Sequence, residues 1–249
     1  MMKSFNQPVP ITFPADITVS IKREDLLHPH ISGNKFRKLK YNLLQAEREG
    51  HQTLLTFGGA FSNHIAATAA AGCEYGFKTI GIIRGEELAA GIQDNPTLKF
   101  AAEQGMQLVF VSRTDYRLKN TPEFIEMLRS QYGHFYLVPE GGTNTYAVRG
   151  CTEILTTEDT SFTHIACAAG TGGTVSGIIN ASAPNQQVLG FPALKGAGLS
   201  DEICKFALQD NWKLVEDYHF GGYGKVNEEL VAFINSFFPL NFRFFPYLP

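Results

Sequence analysis

The stretch His164-Ile165-Ala166-Cys167-Ala168-Ala169-Gly170-Thr171-Gly172-Gly173-Thr174-Val175-Ser176-Gly177-Ile178-Ile179 reads as an apolar strand, a glycine turn and the opening of a helix. A junction of this kind suits an anion. Glycine lets backbone N–H groups come close, the helix start presents unpaired donors and the positive end of its dipole, and two threonine hydroxyls add bonds. The loop is neither familiar nucleotide motif: it lacks the Gly-Lys-Ser/Thr ending, and Val175 stands where G-x-G-x-x-G needs its last glycine. A plain tight turn is the competing reading, and the loop alone does not say which phosphate compound binds.

Outward from this junction the same rhythm recurs. β-rich runs at Thr53 to Phe57, Thr79 to Ile83, Gln107 to Ser112, Phe135 to Val138, His164 to Ala168 and Val188 to Phe191 alternate with helical patterns at Ile65 to Tyr75, Thr97 to Glu103, Thr121 to Gln131 and from Val175 onward. Alternation of this kind indicates βαβ units. Strands joined through helices run parallel, and parallel sheets are normally covered by helices on both faces, so a doubly wound α/β fold is expected. Ligands bind such sheets at the carboxyl ends of the strands. Three loops there are glycine-rich, at 58–64, 140–144 and 170–174, and together they suggest a cofactor.

Two further segments carry chemistry. Ser32-Gly33-Asn34-Lys35 precedes Phe36, Leu39, Leu43 and Ala46, spaced as one face of an amphipathic helix with Ser32 or Asn34 as the cap. A positive charge is disfavoured at a helix start, so Lys35 should have a lowered pKa and a larger nucleophilic fraction. Against this stands a solvated basic stripe of Lys35, Arg37, Lys38 and Lys40. Ser62, Asn63 and His64 lie between an apolar strand and an alanine-rich helix, where free backbone donors could hold a carboxylate and a hydroxyl could relay protons; simple capping is the plainer reading.

Composition narrows the classes. The 249 residues are 44% hydrophobic and 18% charged, with 21 basic and 24 acidic side chains, which excludes disorder and offers no basic field for nucleic acid. No apolar run reaches the roughly 20 residues a membrane span needs. Cys73, Cys151, Cys167 and Cys204 form no C-x-x-C pair, so free thiols and a cytoplasmic setting are expected. No G-x-S-x-G elbow, H-E-x-x-H helix or ligand-spaced histidine cluster occurs, and no metal is expected.

Taken in order, Ile21-Lys22-Arg23-Glu24-Asp25-Leu26, Ser32 to Leu39, Ser62-Asn63-His64, Gly170 to Thr174 and Gly222-Tyr223-Gly224 resemble the type II pyridoxal-phosphate enzymes. More narrowly, they resemble the 1-aminocyclopropane-1-carboxylate deaminase and D-cysteine desulfhydrase family. The resemblance implies a two-lobed fold, with a smaller lobe over 50–145 inserted into a larger cofactor-binding lobe made of 1–49 and 146–249. It implies that Lys35 forms the Schiff base with pyridoxal 5'-phosphate, that Asn63 bonds the ring hydroxyl, and that Gly170, Thr171, Gly172, Gly173 and Thr174 hold the phosphate. Ser62, Asn63 and His64 would face the substrate. Ser62 would also serve as nucleophile or proton relay, and Tyr223 as an acid, base or ring-opening group. The implied reaction is deamination or lysis of a small amino acid to ammonia and a 2-keto acid, with a homodimer left open.

Two departures qualify the match. The family commonly has glutamine before Ser-Asn-His and polar residues after it, where this chain has Phe61 and Ile65-Ala66-Ala67. The pattern Leu230, Phe233, Ile234, Phe237 runs into an aromatic tail at 238–249, where the relatives continue through a further strand and helix. The alternative function is therefore an inactive homologue that binds cofactor or anion without turnover.

Overall fold

The structure, a computed structural model, describes residues 3–194, 198–222 and 225–241. Strands β1 (Asn6–Pro8) and β2 (Ser20–Lys22) pair antiparallel ahead of helix α1 (Asn34–Arg48). A four-stranded parallel sheet follows, ordered β5-β4-β3-β6, from β3 (Thr53–Gly58), β4 (Lys78–Arg84), β5 (Gln107–Val111) and β6 (Tyr136–Val138). Its crossovers carry α2 (Asn63–Tyr75), α3 (Pro96–Glu103), α4 (Arg113–Tyr116) and α5 (Pro122–Tyr132). A second parallel sheet, β7-β8-β9, comprises β7 (His164–Ala169), β8 (Gln187–Pro192) and β9 (Trp212–Leu214), with α6 (Thr145–Cys151), α7 (Gly173–Ala181), α8 (Leu199–Cys204) and α9 (Glu228–Asn241) around it in sequence.

All six strands expected from the alternating pattern form, with ends shifted by no more than one residue. The four-stranded sheet is covered on both faces: Leu54 and Val138 pack toward α1 and α2, while Leu55, Phe57, Ile80 and Ile82 pack on Tyr116, Phe124 and Leu128. The three-stranded sheet differs. Ile165, Cys167 and Val188 pack with Val175, Ile178 and Ile179 of α7, whereas His164, Ala166 and Ala168, pointing the other way by strand alternation, are exposed among the described residues. Along α9, Val231, Phe233 and Ile234 are also exposed.

One glycine sets the packing of the lysine-bearing helix. A Cβ on Gly150 of α6 would lie 1.9 Å from the Arg37 carbonyl oxygen, so only glycine lets α6 approach α1 this closely. Ion pairs fix α1 from the other side. Arg37 donates to both oxygens of Glu24 at 2.8 and 3.0 Å, and Glu153 accepts from Lys40 and Tyr41.

Candidate active site

The site forms where the first turn of α1 meets the loops after β3, β6 and β7. Helix α1 is capped by Gly33 at φ +60°, with no side-chain cap bond, so the expected capping by Ser32 or Asn34 does not occur. Asn34 is instead the first helical residue, and its side-chain amide donates to Thr174 Oγ1 at 2.8 Å. That contact joins the lysine helix to the first turn of α7 across 140 positions of sequence.

Lys35 is half-buried, and its Nζ has no hydrogen-bond partner among the described residues. Burial lowers its pKa, against a smaller opposing influence of Cys151. The direction matches the expectation from the helix dipole, but the cause is loss of water. A solvated basic stripe is not what forms: Arg37 is tied to Glu24, Lys40 to Glu153, and Lys38 is 2% exposed.

Lys38, one turn beyond Lys35, is buried with partners that the sequence reading did not assign to it. Its ammonium donates to Gly141 O at 2.9 Å, Thr143 Oγ1 at 3.1 Å and Thr171 Oγ1 at 3.4 Å, and the two threonine hydroxyls meet at 2.6 Å. Burial and the neighbouring Lys35 charge push its pKa down to about 7. The i, i+3 spacing from Lys35 was the available signal, since it places both amines on one helix face.

The loop after β7 is a glycine turn that leads straight into the start of α7. Gly172 sits at φ +81°, and a Cβ on Gly141 or Gly173 would lie 2.7 or 2.8 Å from the Thr171 or Thr143 side chain. Gly170 and Thr171 are exposed, while Gly172, Gly173 and Thr174 are buried at the helix start. A cavity of about 460 Å³ is lined by Glu140, Thr143, Gly170 and Thr171, within the roughly 300–1,000 Å³ of small-molecule sites. A depression of about 540 Å³ beside α5 contains none of the expected site residues. The loop after β6 is held by paired amides: Asn144 donates to Asn42 Oδ1 at 2.7 Å, as does the Tyr136 hydroxyl at 3.1 Å.

After β3, Ser62 caps α2 by accepting from the Ile65 N–H at 3.4 Å, and Asn63 is exposed. His64, expected from the resemblance to face the substrate, is enclosed by the chain. It is 2% exposed, its Nε2 lies 2.8 Å from Thr56 Oγ1, and burial with the nearby Lys35 and Lys38 charges keeps it neutral. Its ring packs where a Cβ on Gly142 would lie 3.0 Å away, so it supports the loop after β6. Tyr223 lies outside the described residues.

An amine with no hydrogen-bond partner among the described residues, a second buried amine and a glycine-threonine loop thus lie close together, and the chain matches the family described as pyridoxal-phosphate dependent enzyme over residues 9–203. This chain belongs to that family. Pyridoxal 5'-phosphate is the family's cofactor. A Thermotoga maritima protein provisionally named 1-aminocyclopropane-1-carboxylate deaminase is 34% identical over 69% of this chain and 58% of its own length. A Pyrococcus horikoshii protein of the same provisional name is 30% identical, over 88% of this chain and 71% of its own. A D-cysteine desulfhydrase of Yersinia pestis is 25% identical over 87% and 72%. The chain therefore spans between somewhat over half and nearly three quarters of these relatives. Among solved structures, one described as an ACC deaminase homologue superposes with a TM-score of 0.79 at 24% identity, covering 97% of this chain and 79% of that one. Its likeness establishes the fold.

Proposed function

We propose that this protein is a pyridoxal-phosphate-dependent deaminase or lyase that takes a small amino acid to ammonia and a 2-keto acid, with 1-aminocyclopropane-1-carboxylate and D-cysteine as the leading substrates. The observation that carries this reading is the desolvated Lys35 amine, without a hydrogen-bond partner among the described residues, on a helix whose next turn brings Lys38 onto the glycine-threonine loop. The names of the relatives support the substrate class. The residues fit the cofactor: Lys38, Thr143, Thr171 and the N–H groups of Gly172, Gly173 and Thr174 would hold its phosphate, and Asn63 would face its ring hydroxyl.

When bound, pyridoxal phosphate supplies a ring that draws electrons from the substrate's α-carbon and so weakens the bonds there. The chain's own residues do the rest. Lys35 Nζ, whose charged form is disfavoured by burial, would bond a carbonyl carbon as the amine and later take up or return a proton. The second anion site at the start of α2 would orient the substrate carboxylate, with the Ser62 hydroxyl beside it. His64, neutral and enclosed, holds this loop against the loop after β6. In this reading residues 50–145 form the smaller lobe, and the flanking segments form the larger.

The test is the visible spectrum of the purified chain with added pyridoxal phosphate, then assay of keto acid and ammonia from the two leading substrates. A visible band that Lys35→Ala abolishes, with keto acid release, is expected. A band without turnover of either substrate would favour a cofactor-binding homologue without this activity, and no band at all would defeat both.

A further inference from the structure

We infer that Glu140 is a positioning residue: held by Tyr116 and Lys119, its carboxylate fixes the Gly141–Gly142 turn so that the Gly141 carbonyl and the Thr143 hydroxyl meet Lys38. The inference rests on the proposed function for its ligand readout, but its geometry is independent of any ligand. The Tyr116 hydroxyl donates to Glu140 Oε1 at 2.7 Å, and Lys119 Nζ lies 3.3 Å from Oε2. The next residue carries the carbonyl that accepts from Lys38 at 2.9 Å, and Thr143 carries the hydroxyl that accepts at 3.1 Å.

The turn needs such an anchor. Gly141 and Gly142 both have positive φ, at +66° and +72°, and glycine loses more backbone freedom on ordering than any other residue. Beyond them Asn144 is tied to Asn42, so the far end of the loop is held. Glu140 supplies the near end. Its partner is a fixed point, because Tyr116 is 3% exposed and its ring meets Phe57 edge-on at 6.1 Å within the core against β3 and β4. Burial, and then the Glu140 charge, raises the Tyr116 pKa, so the hydroxyl stays a donor.

Charge argues against a direct role for the carboxylate. Glu140 lines the cavity of about 460 Å³ beside Thr143, Gly170 and Thr171, where an ionised carboxylate offers only acceptors and repels an anion. The Lys119 ammonium offsets that charge. Glu140 therefore acts on a ligand through the turn, by way of Lys38 and Thr143. A tie that merely secured α4 to the end of β6 would stabilise the chain without distinguishing one ligand from another.

The experiment uses the full chain and two variants. Tyr116→Phe removes the hydroxyl while keeping the ring in the core and the net charge unaltered; Glu140→Gln keeps an amide oxygen that can still accept from Tyr116. Amide hydrogen exchange is read by peptide mass over β6 and over 140–144, where the Gly142 N–H donates to Pro139 O at 2.8 Å. In Tyr116→Phe, exchange over 140–144 should rise about tenfold, the low end for a hydrogen bond to a charged group because half-exposed Glu140 can turn to water, while β6 changes less than about twofold. Pyridoxal phosphate, titrated by its visible band, should weaken about threefold to tenfold and by no more than the exchange rises, since only the ordered turn binds, while pyridoxal should change less than about twofold. Glu140→Gln should stay within about threefold of the unaltered chain in both readouts, and Tyr116→Phe/Lys38→Met should bind pyridoxal phosphate within about twofold of Lys38→Met, because the tie acts through that amine.

In Tyr116→Phe, unchanged exchange over 140–144, an equal rise in β6, unchanged affinity for pyridoxal phosphate or equal losses for the two aldehydes would each overturn the inference. So would a Glu140→Gln chain as impaired as Tyr116→Phe, or a double that adds the full Tyr116→Phe loss to that of Lys38→Met. If the unaltered chain gives no band with either aldehyde, the proposed function falls, and the exchange pattern alone decides whether Glu140 positions the turn.

Discussion

Replacing Lys38 with methionine removes the ammonium while keeping a straight apolar chain in its buried channel. The lost charge makes bonds of 2.9, 3.1 and 3.4 Å to Gly141, Thr143 and Thr171, the group that would meet a phosphate. A hydrogen bond to a charged group is worth about 1.5–3 kcal/mol, which converts to a weakening of roughly 10- to 150-fold. Pyridoxal phosphate titrated by its visible band should lose affinity by that factor in Lys38→Met, while pyridoxal, lacking the phosphate, should change less than about threefold on the same reasoning.

The pH dependence follows with a definite sign. Without ligand, folded Lys38 loses its proton near 7 and the unfolded chain near 10.5, so across that window the unfolded state holds the extra proton and stability rises with pH. An anion in the loop needs the proton present. Affinity for sulfate, whose charge is constant over this range, should therefore fall as pH rises above 7, and Lys38→Met should flatten the curve. Equal losses for pyridoxal and pyridoxal phosphate, or a sulfate affinity independent of pH in the unaltered chain, would refute the assignment.

Other expectations follow from the same contacts. Glu24→Ala leaves the half-buried Arg37 with only the 3.4 Å contact to Glu153 and should cost about 2 kcal/mol, a drop of roughly 4–8 °C in Tm by calorimetry. Gly150→Ala drives a methyl into the Arg37 carbonyl and should destabilise by about 3 kcal/mol in urea unfolding, with a weakened visible band because α1 must shift. Asp159 is buried, which opposes ionisation, yet the bonds from Lys22 and Asn6 hold its pKa below the usual 3.8. Its contribution is thus full above that value and lost as pH falls through the lowered one. Asp159→Asn should flatten the acid limb of stability there, and an unchanged limb would count against the assignment.

Much of the framework was legible in the residues. The strand His164–Ala169 and the glycine turn after it follow from a short apolar run meeting Gly170, and the strands at Thr53–Gly58 and Lys78–Arg84 follow from the same alternation. The short strands β1, β2 and β9 were missed, because three residues carry too little period to stand out. Lys38 was read with a basic stripe because its burial depends on Thr143 and Thr171, more than a hundred positions away. His64 was placed with Ser62 and Asn63 by the family resemblance, yet a helix turns successive residues by about 100°, so His64 is buried where Asn63 is exposed.

The sequence by itself determined the parallel α/β layout, the glycine loops at strand ends and the lysine at a helix start, since these depend on local period and turn chemistry. Tertiary structure alone decided which amines lose their water, that Thr143 and Thr171 meet Lys38 and that Thr174 meets Asn34. Charge state and hydroxyl availability depend on what distant segments bring within 3 Å, and no local pattern encodes that.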